Sequence, residues 1–249
     1  MNRMLDEICH SVAAAPLPAP SGLETHRLSL ADGAVVHVRT LTLDGRKPAH
    51  PADFETLLCP EERQRADRFL RPVHRAEYVA AHGLLRRMLG ELLDIDPAAL
   101  VFATPPGGGK PFLAEPSVAG LDINLSHTTG MVACAVAFGG VVGVDVEWRD
   151  RRVGIGVIRQ VLTDDECRWV QSLPDSEQDI GFLRLWTLKE AVAKALGQGL
   201  SLSFSSVSVQ PDPPRLLFLP PDGVTAWQLR QWRTASGHVA AVACHPRAG

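Results

Sequence analysis

Val79, Leu84, Leu85, Met88, Leu89 and Leu92 recur at helical spacing across residues 73–93, and this stripe predicts an amphipathic helix. Shortly before it, Pro60 followed by Glu61 and Glu62 reads as another helix start, because proline fits a first turn and carboxylates favour the positive end of the helix dipole. Leu183, Val192, Ala193 and Leu196 give residues 182–200, FLRLWTLKEAVAKALGQGL, one apolar side, and Gly197 and Gly199 supply the stop. Thr163 with Glu166 three residues on is a capping box for a helix near Asp164, broken by residues 174–178.

Between these helical stretches the period changes to two. Residues 34–43 (AVVHVRTLTL) are β-branched and close on an Asp44-Gly45 turn, and residues 121–126 (LDINLS) alternate. Residues 131–138 are almost continuously apolar, and residues 141–148 alternate again behind Gly139-Gly140. Two glycines between strand patterns predict a hairpin and an antiparallel meander. Residues 201–210, 227–233 and 238–243 are further strand candidates, with loops at 211–214 and 220–221. Strands and helices in both halves predict an α+β fold. Its divisions are a proline-rich, flexible extension over 1–31, an N-terminal α+β subdomain over 32–138 and a C-terminal one over 139–249.

The 249 residues are 45% hydrophobic, enough for one large core or two small ones, and the net charge of −3 carries no general nucleic-acid signal. Arg63, Arg65, Arg68, Arg71 and Arg75 are close together but diluted by Glu61, Glu62 and Asp67, as on a solvated helix face. Five widely spaced cysteines without a CxxC pair indicate neither a disulfide framework nor zinc, and fit a reducing cytoplasm. Asp6 and Glu7 stand where a signal peptide needs apolar residues, and no apolar run reaches the ~20 residues of a membrane span.

The chemistry gathers in two places. Asp145 and Glu147 are two apart in a strand, so they share one face, opposite Val144 and Val146. Trp186, Glu190 and Lys194 are spaced by four and share one helical stripe. Each has a plain alternative: Glu190 and Lys194 also fit a surface i,i+4 pair worth roughly 0.2–0.5 kcal/mol, and Asp145 and Glu147 also fit a solvated edge strand running into Arg149 and Arg151. Two carboxylates on one face equally suit Mg²⁺, which takes a few carboxylates together with phosphate oxygens and water. TPPGGGKP, residues 104–111, is not a phosphate-cradling P-loop, because Pro111 follows Lys110 where that motif needs Ser or Thr and then a helix.

GKPF (109–112), NLSH (124–127), GVDVE (143–147) and WTLKEAVAKALGQGL (186–200), in this order, resemble the 4′-phosphopantetheinyl transferases, in particular the single-chain type that activates surfactin synthetase. Weaker similarity runs from about Ala34 to Ala243. The resemblance implies a pseudo-dimer of two similar α+β subdomains with the active site in the cleft between them. It implies a cytoplasmic, monomeric enzyme of secondary-metabolite biosynthesis that moves the 4′-phosphopantetheine arm of coenzyme A to a serine of an apo acyl or peptidyl carrier protein. Nucleic acid and membrane play no part. By position, Asp145, Glu147 and Glu190 resemble the ligands of Mg²⁺, with Mn²⁺ an alternative. Glu190 and Lys194 resemble the catalytic pair, and Lys110, Ser126, His127, Lys194, Arg65 and Arg75 resemble the groups that hold coenzyme A. Glu62 departs from the pattern, standing where the surfactin-type enzyme has lysine, as does Thr128, where serine is common. A carrier-docking module without chemistry and a Mg²⁺-dependent phosphohydrolase are the competing readings.

Overall fold

The computed structural model describes residues 20–30, 33–43, 51–151, 155–199, 202–219 and 226–247. In chain order the elements are β1 (Leu23–Ser29), β2 (Val35–Thr42), α1 (Pro51–Leu57), α2 (Pro60–Ala66), α3 (Pro72–Leu93), β3 (Val101–Ala103), β4 (Phe112–Glu115), β5 (Leu121–Thr128), β6 (Met131–Phe138), β7 (Gly140–Glu147), α4 (Ile155–Val161), α5 (Asp164–Ser172), α6 (Asp175–Leu196), β8 (Ser208–Pro211), β9 (Pro214–Phe218), β10 (Gln228–Arg233) and β11 (Val239–Pro246).

Two antiparallel sheets dominate, one in the order β1-β2-β6-β5 and the other β10-β11-β7. Each carries a 22-residue helix on its outer face, α3 on the first and α6 on the second. The apolar run of β6 reflects burial on both sides. Val132, Cys134 and Val136 pack with α3, whereas Met131, Ala133, Ala135 and Ala137 face the second sheet. Small alanines on that inner face, met by Val142, Val144, Val146, Ala240 and Val242, let the two sheets pack directly on one another. The mixed α/β architecture is therefore helix, sheet, sheet, helix.

Three expectations need correction. Leu23–Ser29, inside the stretch expected to be a flexible extension, is strand β1, paired along its whole length with β2, with Leu28 and Leu30 buried between the sheets. Its polar residues hide the strand pattern: Arg27 is on the exposed face of this edge strand, but Glu24 and His26 share the face of Leu28, where His26 lies against the Trp232 ring. Residues 1–19 and the Asp44-Gly45 turn lie outside the described residues. Next, Gly139-Gly140 does not make a hairpin. Both edges of β6 are already taken, by β2 and β5, so the chain crosses to the second sheet and β7 pairs with β11. Finally, of residues 201–210 only the end enters a strand, β8, after a single 3-10 turn at Phe204–Ser206.

The exposed edge of β7 is closed by side chains rather than by a strand. The amides of Val142, Val144 and Val146 donate to Asp122 Oδ2 (2.7 Å), Asn124 Oδ1 (2.8 Å) and Ser126 Oγ (3.3 Å). The alternation of LDINLS thus has a use other than facing water: its polar face accepts the ladder bonds that β7 would otherwise leave unmade. α6 lies so close over β7 that a Cβ on Gly143 would stand 1.9 Å from the Ala191 carbonyl oxygen. The side-chain seam and this close crossing place the functional residues.

Candidate active site

Asp145 and Glu147 point from β7 towards α6, and both are buried, which rules out a solvated edge. Lys194 Nζ donates to Asp145 Oδ1 (2.6 Å) and to Ser126 Oγ (2.9 Å), and the Ser126 hydroxyl donates to the same Asp145 oxygen (2.9 Å). Two turns earlier on α6, Trp186 Nε1 donates to Glu147 Oε1 (2.9 Å). Thr128 reaches Glu147 Oε2 at 3.5 Å, and Arg151 donates to Oε1 while its guanidinium lies 5.5 Å from the centre of the Trp186 ring. Glu190 sits between Trp186 and Lys194 on the same helical stripe. Thus β7, the end of β5 and the C-terminal half of α6 meet in one place.

The charges are strongly coupled. Burial, and then the neighbouring Asp145, push the Glu190 carboxyl up to about 7, with Glu147 adding to the rise and Lys194 opposing it. Glu147 is likewise raised, first by burial and then by Asp145, against Arg151, Trp186 and Lys194. Electrostatic coupling of this kind is a property of carboxylates held near one another in poor solvent.

Asp145 Oδ2 is buried and makes no hydrogen bond. An ionised oxygen left without a partner is costly unless something cationic completes it. Together with the all-oxygen donor set of Asp145, Glu147 and Glu190, this suits a hard divalent cation that also takes phosphate oxygens. Among the described residues no three His, Cys, Asp or Glu side chains are already gathered into a cage. The protein's own cations, Lys194 and Arg151, sit on two of the three acids.

Compared with curated proteins, the chain is 32% identical to the 4′-phosphopantetheinyl transferase HetI of Nostoc sp. over 211 residues, covering 84% of this chain and 86% of that protein. The chain belongs to the 4′-phosphopantetheinyl transferase family. A profile described as "4′-phosphopantetheinyl transferase superfamily" matches residues 141–243, from the start of β7 into β11. A putative 4′-phosphopantetheinyl transferase of Synechocystis sp. is 27% identical over 74% of this chain and 73% of its own length. For the 4′-phosphopantetheinyl transferase Sfp of Bacillus subtilis the figures are 26%, 63% and 68%.

In this transferase the remaining candidates fall into two groups. His127 stands exposed at the rim, its imidazole held below the ordinary value by desolvation, with Glu77 opposing and Lys194, His74 and His82 reinforcing. Arg65 is exposed on α2, within electrostatic reach of Tyr78, which stacks on His82. His82 lies within electrostatic reach of His127 and stacks on Tyr78, which links the two on the first-sheet side. Three others are committed within the protein. Ser126 spends its hydroxyl on Asp145, Lys194 and Val146, which positions the acids. Lys110 is bound to Asp122 and to the Val142 carbonyl (2.6 Å), at the opposite end of the β5–β7 seam from Asp145. Arg75 clamps Glu55 (2.6 Å) and Asp67 (3.1 Å), tying α1 and the end of α2 to α3.

Glu62, the departure from the family pattern, is also structural. It accepts from the Cys59 amide at the start of α2 (3.1 Å), pairs with His82 (3.1 Å) and holds the buried Arg86 (2.7 Å). Burial alone would raise its pKa, but His82 and Arg86 overcome that and bring it down to about 2.

Two residues beside the candidates have roles the sequence pattern does not announce. Lys189, next to Glu190, is fully buried on Glu166 (2.5 Å) and the carbonyls of Val161 (2.8 Å) and Phe204 (2.9 Å), which fixes α6 from behind. Arg151 is the cation on Glu147. Its spacing of four from Glu147 is the one available signal, and it is lost in a run of charged residues.

A groove of about 900 Å³, lined by Arg149, Asp150, Glu177, Arg184, Trp232 and Arg233 among others, opens beyond the end of β7. It flanks the acids without containing them.

Proposed function

We propose that the transferase moves the 4′-phosphopantetheine arm of coenzyme A to a serine hydroxyl of an apo acyl or peptidyl carrier protein and releases 3′,5′-ADP. The observation that carries this reading is the meeting of Asp145 and Glu147 from β7 with Glu190 and Lys194 from α6, with Asp145 Oδ2 buried and left without a partner. HetI and Sfp, which carry the family's name, lend support.

The carrier serine oxygen bonds to the β-phosphorus, the phosphorus–oxygen bond to the departing 3′,5′-ADP breaks, and the serine proton needs an acceptor. Glu190 fits that task by position, as a carboxylate one turn before Lys194 on the stripe of α6 that meets the β7 acids. Lys194, one turn on, is placed to donate to the diphosphate and stabilise charge on the leaving group. Bound by Asp145, Glu147 and Glu190, Mg²⁺ or Mn²⁺ would supply neutralisation of the diphosphate oxygens. His127 and Arg65, both exposed on the first-sheet side, suit the nucleotide end of coenzyme A. The matching helix-on-sheet halves support reading the fold as a pseudo-dimer with the site at the joint. We further infer that the enzyme acts as a cytoplasmic monomer in secondary-metabolite biosynthesis.

The deciding experiment incubates the protein with coenzyme A, Mg²⁺ and an apo carrier and follows the carrier by intact mass. A gain of one phosphopantetheine arm, lost with EDTA, is expected. Free phosphopantetheine with an unchanged carrier means hydrolysis, and an unchanged carrier that still binds the protein means docking without chemistry; either result overturns the proposal.

A further inference from the structure

The two cations on the acids differ in how they are held. Lys194 comes from the middle of the packed site, is 24% exposed, and bonds to Ser126 as well as Asp145. It belongs to the frame. Arg151 follows β7 in the chain, and its side chain is 46% exposed, whereas the Glu147 carboxylate beneath it is 9% exposed. Besides Glu147, its contact among the described residues is the face of Trp186. A guanidinium attached at one edge and open to water can leave; a buried carboxylate fixed by Trp186 and Thr128 cannot follow it.

We propose that Arg151 is a displaceable latch, occupying the cation position at Glu147 until a divalent cation turns it out. This rests on the transferase reading only in placing such a cation on Asp145 and Glu147. With Arg151 on Glu147 and Lys194 on Asp145, two of the three acids already carry the protein's own cations. Glu147 Oε1 accepts from both Arg151 and Trp186, so a metal ligated there competes directly with the guanidinium. Once displaced, Arg151 stands beside the site as a free, bidentate cation next to the diphosphate.

The test titrates Mn²⁺ alone, without coenzyme A, into the wild-type protein and into Arg151→Gln and Arg149→Gln by calorimetry, while tryptophan emission is recorded. Arg149 has a similar exposure, pairs with Asp150 and makes no contact with Glu147 in the structure, so it controls for bulk charge. Expected are about two- to fivefold tighter binding in Arg151→Gln, the range for a partly exposed ion pair, and little change in Arg149→Gln. A change in emission on loading the wild type, absent from both Arg151→Gln and Trp186→Phe, would report the guanidinium leaving the indole. Equal tightening in both arginine variants, or unchanged or weaker binding in Arg151→Gln, overturns the latch. Absence of Mn²⁺ binding in all proteins overturns the metal assignment itself, and the latch with it.

Discussion

Gly143 is where the proximity of helix and strand can be tested with a single methyl group. A Cβ there would meet the Ala191 carbonyl oxygen at 1.9 Å, the Ala195 nitrogen at 2.4 Å and the Ala191 carbonyl carbon at 3.0 Å. All three are backbone atoms of α6, so no side chain can turn aside to make room. Ordinary van der Waals contact begins at 3.4 Å, so α6 would have to retreat from β7 by roughly 1.5 Å. That movement would stretch the Lys194–Asp145 hydrogen bond from 2.6 Å to roughly 4 Å, beyond bonding range. Overpacking usually costs about 1–3 kcal/mol, and rigid backbone puts this case near about 3 kcal/mol. For a chain of this size that corresponds to a fall in Tm of about 6–12 °C. If Glu190 and Lys194 act as proposed, displacing them by more than an ångström should also lower kcat about 100-fold in the carrier assay, at temperatures where the variant is still folded. Calorimetry and the mass assay on one Gly143→Ala preparation give both numbers. A variant melting within about 2 °C of wild type and turning over at a similar rate would show that α6 does not depend on this approach.

Two further outcomes follow from the charges. Glu190→Gln should abolish transfer yet melt above the wild type in metal-free buffer near pH 8, because the amide removes a buried charge that Asp145 and Glu147 repel; a lower melting temperature would show that Glu190 stabilises the fold. Glu62 has a folded pKa of about 2, below its ordinary 4.5, so its contribution is complete above about pH 4.5 and lost as pH falls towards 2. The shift sets that contribution at about 3 kcal/mol. In Glu62→Gln urea-unfolding stability should drop near neutral pH and its acid slope should flatten; a variant retaining the full slope would place the acid sensitivity elsewhere.

The pattern of the chain was enough for α3, for the C-terminal two-thirds of α6, whose first turns lie in the stretch 174–178 read as a break, and for the strands β2, β5, β6 and β7. Periods of 3.6 and 2 are local properties, so Glu190 and Lys194 on one stripe, and Asp145 and Glu147 on one face, could be read before any packing was known. The order of four motifs likewise pointed to the family. What tertiary structure alone decided was which strand β7 would pair with, since that depended on β2 and β5 having already claimed both edges of β6. It also decided what the polar side chains were for. Lys110, Ser126 and Arg75 are held by Asp122, Asp145 and Glu55, respectively 12, 19 and 20 residues away along the chain, partners that no local pattern announces. β1 escaped notice because its inward face carries Glu24 and His26 beside Leu28, so the strand shows no apolar alternation. Distant partners such as these leave no periodic trace: a side chain's exposure, and hence its charge state and freedom to bind, is set by whatever the fold lays against it.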